Sequence, residues 1–259
     1  MLSDWDKSVF TTDAVDGKPL AHDVYTKGSG PVVLIIQELP GIGAETNRLA
    51  DDLIAAGFTV VLPHLFGPIG KLSFAGNITR VFCMRREFAV FAKHRTSPVV
   101  RWLRALAAEV KTAHKVQGIG VIGMCLTGNF AISMMADGNV LAGVASQPSL
   151  PILANSALHM SSQDVSEIRA GLEEKGPMLA FRFQGDKLCT HAKFEALDAA
   201  FNSDKERIKL REIEGDKHSL LTVHFNGDDG SPTHEALTEV LGYFKEKLSR
   251  LQPRQMEVL

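Results

Sequence analysis

The chain has 259 residues, 45% of them hydrophobic and 22% charged, with 28 Lys and Arg against 30 Asp and Glu. At roughly 150 residues per domain this fits one large α/β domain over 1–259, with the balance of a globular protein rather than a disordered one. A formal charge of −2 leaves no cation excess for phosphates or acidic headgroups, so neither nucleic acid nor membrane is an expected partner. Apolar runs such as Val32 to Ile36 fall far short of the ~18 to 20 residues of a membrane span. Met1-Leu2-Ser3-Asp4-Trp5-Asp6-Lys7 carries acids where a signal peptide carries basic residues, and a cytoplasmic location is expected. Cys83, Cys125 and Cys189 include no CxxC pair, which argues against a disulfide framework and against structural zinc.

In chain order, Val9 to Thr12 and Leu20 to Thr26 read as a hairpin split by Asp16-Gly17-Lys18-Pro19. Val32 to Ile36 is continuously apolar, as in a strand buried on both faces. Helical spacing at Leu49, Leu53 and Ile54 is closed by Gly57, and Phe58 to Pro63 reads as the next buried strand. A Gly- and Pro-rich loop follows from Pro63 to Asn77, then a helix over Thr79 to Lys93. Ser97-Pro98 resembles an N-cap with proline at the first helical position, opening a helix through Val99, Leu103, Leu106 and Val110. Gly118 to Ile122, Val140 to Ala145, Met178 to Phe183 and Ile208 to Ile213 read as strands. Leu126 to Ala136, His191 to Phe201 and Thr233 to Leu251 read as helices. The insert Pro148 to Gly176 holds a further helix near Asp164 to Glu174. Such alternation predicts a mostly parallel sheet of about eight strands with helices on both faces.

The sharpest local feature is Gly123-Met124-Cys125-Leu126-Thr127-Gly128, where a buried strand ends at a cysteine and a helix starts at once. A nucleophile elbow requires this context, because its strained turn tolerates little bulk two positions either side of the nucleophile. Gly123 satisfies that on one side; on the other stands Thr127, with Gly128 one position later. The same residues also suit a small buried cysteine packed between strand and helix. As a nucleophile, Cys125 would gain from the helix amino end, and the Leu126 N–H would supply half of an oxyanion hole. The other half would come from Leu39, after the strand ending at Ile36. Glu38 follows five apolar residues and needs a buried partner, a backbone group or an arginine among the options.

Downstream, Asp186 follows one predicted strand in Gln184-Gly185-Asp186, and His218 follows the next in Lys217-His218-Ser219. His224 and His234 are rivals for the base, and Asp186 alone also reads as an ordinary Gly-Asp turn. The order of nucleophile, acid and histidine, each just after a strand, is that of the α/β-hydrolases.

From about Pro31 to the terminal helix, these residues resemble the dienelactone hydrolase family, a cysteine-bearing branch of the α/β-hydrolase superfamily. Gln37-Glu38-Leu39-Pro40-Gly41 is similar to its glutamate segment, and Gly123 to Gly128 to its cysteine elbow. The resemblance implies an α/β-hydrolase fold and a small ester or lactone opened through an acyl-cysteine intermediate, with no metal and no organic cofactor. It further implies a Cys125, Asp186 and His218 triad, with Glu38 against the resting thiol. Family members that take carboxylate-bearing dienelactones use an arginine shortly after the histidine, whereas Ser219-Leu220-Leu221-Thr222-Val223 has none. Arg80, Arg85 and Arg86 could receive an anionic group or form a solvated helix face.

No HExxH, GxGxxG or P-loop pattern points to a metal or nucleotide. Two rival readings stand beside the hydrolase. One is a non-catalytic small-molecule binding or regulatory protein on this fold, and the other a redox-sensing thiol protein.

Overall fold

The computed structural model describes residues 2–12, 19–39, 41–67, 69–70, 98–149, 158 and 160–249. The helix expected over Thr79 to Lys93, with Cys83, Arg85 and Arg86, lies outside the described residues. So does part of the insert, residues 150–157 and 159. The chain runs β1 (Asp6–Thr12), β2 (Leu20–Gly28), β3 (Val32–Ile36), α1 (Ala44–Ala55), β4 (Thr59–Pro63), α2 (Pro98–Ala113) and β5 (Ile119–Met124). A 3₁₀ turn (Cys125–Thr127) then leads to α3 (Gly128–Met134), β6 (Val140–Ser146), α4 (Ser162–Lys175), β7 (Met178–Phe183), α5 (His191–Phe201), β8 (Ile208–Ile213) and α6 (Pro232–Ser249). The expected α/β alternation is observed. Two local differences stand out: β1 begins at Asp6, three residues before the expected Val9, and the tight turn at Leu126 delays the helix to Gly128.

Eight strands form one sheet in the order β1-β2-β4-β3-β5-β6-β7-β8. β1 with β2 and β2 with β4 pair antiparallel, and the other pairs are parallel. This is the α/β-hydrolase fold. The register levels the carboxyl ends of the central strands along one edge: Ile36 pairs with Gly123, Met124 with Ser146, Ser146 with Phe181, and Phe183 with Ile213. Segments leaving β3, β5, β6, β7 and β8 therefore emerge side by side, where open parallel sheets place their ligands.

Alternation within each strand builds two cores. Val32, Leu34, Ile36 and Val121 face Trp102, Leu103 and Leu106 of α2, Phe130 of α3, Leu172 of α4 and Phe194 of α5. Val33, Ile35, Ile122 and Val144 face Leu49 and Leu53 of α1 and Leu237, Val240 and Phe244 of α6. With both faces covered, every one of the five residues of β3 and of β4 is buried, which is why β3 reads as an unbroken apolar run and β4, after Thr59, as an apolar run rather than an alternating one. In α4, Ser161 caps the first turn: its hydroxyl accepts the Asp164 N–H at 3.0 Å, and the Asp164 carboxylate accepts the Ser161 N–H at 2.9 Å.

Helix α4 crosses the end of α3 so closely that a Cβ on Gly171 would run into the Met135 carbonyl oxygen and come within 3.3 Å of the Ala136 Cα. Glycine costs a helix about 1 kcal/mol relative to alanine, so propensity alone makes Gly171→Ala stabilising. Backbone overlap decides the sign the other way. Gly171→Ala is expected to lower unfolding free energy by about 1–3 kcal/mol in urea titrations. An unchanged or raised midpoint would refute the close approach.

Candidate active site

The strand-to-helix turn places Cys125 at φ 55, a left-handed conformation that a non-glycine residue holds only when its surroundings impose it. What imposes it is visible at Gly123, where a Cβ would collide with the Thr127 carbonyl oxygen and lie 2.9 Å from the Ala131 Cβ. Thr127, where a second glycine is usual, is accommodated because its side chain is buried and tied down. Its hydroxyl accepts the Met124 N–H at 2.9 Å and lies 2.9 Å from two acceptors, the Ile36 and Met124 carbonyls. The second close approach has moved one residue on: a Cβ on Gly128 would sit 2.9 Å from the Pro148 Cα.

Asp186, buried after β7, is saturated by donors. One carboxylate oxygen accepts the Leu188 and Cys189 N–H groups at 2.8 and 3.0 Å, and the other faces His218 Nδ1 at 2.7 Å. Its loop is gripped by the buried Arg182, whose guanidinium donates to the Cys189 carbonyl at 2.7 Å and the Gln184 carbonyl at 2.8 Å while pairing with Glu212. Burial opposes charge on His218, but hydrogen bonding to Asp186 and the proximity of Cys125 outweigh it, raising its pKa to about 10. His218 Nε2, also buried, has no partner in full hydrogen-bonding geometry among the described residues, but Cys125 lies close enough to favour its protonation.

Glu38 is buried at the exit of β3, and its carboxylate meets three donors. Thr222 donates to one oxygen; Ser219 Oγ at 3.1 Å and Gln147 Nε2 at 3.4 Å donate to the other. Burial raises its pKa, against these hydrogen bonds and the charge of His218. This differs from the expectation that Glu38 holds the resting thiol. The physical reason is local: two hydroxyls of the 219–224 segment lie against the carboxylate and satisfy it. The sulfur instead has Ser149 Oγ at 3.5 Å.

The remaining candidates fall as follows. Leu126, buried, directly follows Cys125, and half-buried Leu39 directly follows the buried Glu38. His224 Nδ1 accepts the Ser219 N–H at 3.0 Å and its pKa is lowered by burial and then by the charge of His218, which makes it a neutral brace. His234 lies in the first turn of α6, 3.8 Å from Asp229. Cys189 is buried, and burial pushes its thiol pKa up. Helix α3 is only seven residues long, so the dipole expected to favour a thiolate is small, and hydrogen bonding must carry more of that task. Among the described residues no group of three or more His, Cys, Asp or Glu side chains could hold a metal ion. None of the described helices is long and apolar enough to cross a membrane.

Two site residues were not singled out from the sequence, Gln147 and Ser149. Gln147 is a buried non-glycine at φ 37 whose carboxamide joins Glu38, Ser146 and the Leu220 N–H, the last at 3.4 Å. Its signal is like that of Glu38: a polar residue two positions after an apolar run, Gln147 after Ala145 as Glu38 after Ile36. Ser149 carries no such mark.

A family model for the dienelactone hydrolase family matches residues 21–248. No curated protein matches the chain. Among solved structures, a protein of Klebsiella pneumoniae assigned to the dienelactone hydrolases superposes with a TM-score of 0.64 at 15% identity, covering 93% of this chain and 99% of that one. A dienelactone hydrolase-like promiscuous phosphotriesterase from metagenomic libraries gives 0.65 at 16% identity, with 93% and 98% covered. An esterase of Pyrococcus furiosus gives 0.55 at 13% identity, with 95% and 94% covered. At these identities the superpositions speak for the fold. The family model spans all but the outer strand and the two ends of the chain, including the segments that carry Glu38, Cys125, Asp186 and His218, so the chain belongs to the dienelactone hydrolase family.

Proposed function

We propose that the protein hydrolyses a small carboxylic ester or lactone through an acyl-cysteine intermediate, with Cys125 as nucleophile, His218 as acid and base, and Asp186 as the orienting acid. Family membership carries the coarser statement, an ester-hydrolysing enzyme acting on a small molecule. The finer one rests on a left-handed cysteine at a strand-to-helix turn beside a buried imidazole whose other nitrogen is held by a carboxylate at 2.7 Å.

The raised pKa of His218 favours the ion pair in which Nε2 already holds the thiol proton, and from that pair the sulfur attacks the carbonyl carbon. The carbonyl π pair moves onto oxygen, where the Leu126 and Leu39 N–H groups would hold the charge. Collapse expels the alkoxide, which takes its proton from the His218 imidazolium. In deacylation His218 draws a proton from water, hydroxide attacks the thioester carbon, and collapse releases the acid and the Cys125 thiolate. Asp186 holds one imidazole tautomer through both halves and stabilises the imidazolium. Glu38 steadies the segment that carries His218 through Ser219 and Thr222.

Stopped-flow hydrolysis of 4-nitrophenyl acetate, with intact mass taken during the reaction, tests this. The protein should show a burst and a transient acetyl adduct on Cys125. Cys125→Ala should lose both, with turnover falling on the order of a thousandfold or more. Equal slow release by both proteins, without adduct, would favour the non-catalytic binding protein instead.

A second expectation concerns pH. The pKa of His218 in the folded chain, about 10, lies above its ordinary 6.5. The stability this contributes is therefore complete below pH 6.5 and is lost as pH rises through about 10. The stability advantage of the protein over His218→Gln should narrow across that window in denaturation titrations. An advantage independent of pH would show that the imidazole is not held in its charged form.

A further inference from the structure

Two hydrogen-bond inventories close on one pair. Ser149 is 1% exposed, and among the described residues its hydroxyl has one partner, the Cys125 sulfur at 3.5 Å. A buried hydroxyl is costly unless paired, so this contact explains why a serine can be buried there. Seen from the sulfur, Ser149 is the one side chain among the described residues in full hydrogen-bonding geometry: His218 Nε2 lies close enough to be biased by Cys125 but lacks that geometry, and the Glu38 oxygens meet Thr222, Ser219 and Gln147. The position is built rather than incidental. The Ser149 N–H donates to the Cys125 carbonyl at 3.1 Å, and the Ser149 carbonyl accepts from Asn129 Nδ2 at 3.3 Å, which ties the serine to the elbow and to α3.

We propose that Ser149 is a catalytic residue of this site, the hydroxyl that receives the thiol and then stabilises the thiolate. This rests on the reading of Cys125 as nucleophile. A hydroxyl can both accept and donate. In the thiol form the Cys125 S–H can point at Ser149 Oγ. When the thiol proton moves to His218 Nε2, the electron pair left on sulfur becomes an acceptor, and the Ser149 O–H rotates to donate to it. Once the S–C bond of the acyl-enzyme has formed, that charge is gone, and it returns only when the second tetrahedral intermediate expels the thiolate. With attack of water on the thioester limiting deacylation, the sulfur is uncharged in the limiting step, and Ser149 acts mainly on acylation.

Iodoacetamide alkylation of Cys125, followed against pH by intact mass with peptide mapping, needs no substrate. Burst and steady-state rates on 4-nitrophenyl acetate complete the test. A hydrogen bond to a charged group predicts that Ser149→Ala slows alkylation at neutral pH roughly tenfold or more and moves its pH profile upward by about one unit or more. The burst rate should fall by a similar factor while the deacylation rate stays within about twofold of the starting protein. Ser149→Thr, which keeps the hydroxyl, should recover most of the loss. Ser149→Gly serves as the second hydroxyl-free variant if Ser149→Ala folds poorly. An unchanged alkylation profile in either hydroxyl-free variant overturns the proposal, as does an equal fall of both kinetic phases without a shift in the profile. If Cys125→Ala keeps full turnover, the hydrolase reading falls, while the alkylation profile still decides whether Ser149 governs the thiol.

Discussion

The left-handed backbone at Cys125 is the constraint on which the site depends. A residue held there costs on the order of 1–3 kcal/mol, and it persists because its surroundings leave no alternative. Gly123 gives up its side chain so that the Thr127 carbonyl can close over it, and Gly128 does the same for Pro148 at the exit of β6. The Thr127 hydroxyl lies 2.9 Å from the last carbonyl of β3, Ile36, so one side chain joins the elbow to the strand from which Glu38 and Leu39 depart. The departure from a five-residue glycine pattern thus has a structural use: Thr127 adds a tether that glycine cannot supply.

Sheet geometry sets the next problem. Neighbouring strands lie about 4.8 Å apart, so β8, three places from β5, starts its loop roughly 14 Å from the elbow. The histidine has to be carried back across the strand ends. The return begins at the close approach of Gly185 to Asp216, where a Cβ would lie 2.9 Å from the Asp216 Cα. It is then held by Ser219 and Thr222 on Glu38, by the Leu220 N–H on Gln147, and by Arg48, which donates to the Leu221 carbonyl and stacks 3.7 Å from the Phe225 ring centroid. A carboxylate buried without partners would be prohibitive, so Glu38 and the returning segment need one another.

Most of the fold was legible because it rests on patterns that survive without context. An unbroken apolar run marked the buried strand Val32–Ile36; Met178–Phe183 and Ile208–Ile213, which carry charged residues, also fall on the residues expected, and the shifts of up to three residues elsewhere are at ends, where hydrogen bonding rather than hydrophobicity decides. Chemistry was legible where a residue type is out of place, as with Glu38 after β3, or where strand order dictates position, as with Asp186 and His218. What could not be read is which polar groups meet. Thr222 and Glu38 are 184 residues apart and Ser149 and Cys125 are 24 apart, and no local pattern encodes either contact. The resemblance puts the thiol on Glu38, whereas the hydroxyls that satisfy the carboxylate come from residues 181 and 184 positions away.

The distribution of charge around the imidazole gives the arrangement its logic. Asp186 binds His218 directly, and the charge of His218 in turn pulls on the Glu38 carboxyl from across the site. Both carboxyls therefore favour a proton on the histidine. A carboxylate placed on the sulfur instead would repel the thiolate at the moment it forms, and would have to move for the reaction to start. A hydroxyl carries no such penalty. Because it accepts from a thiol and donates to a thiolate with only a rotation of its own O–H bond, Ser149 can attend the sulfur through proton transfer while the heavy atoms stay where the fold has put them.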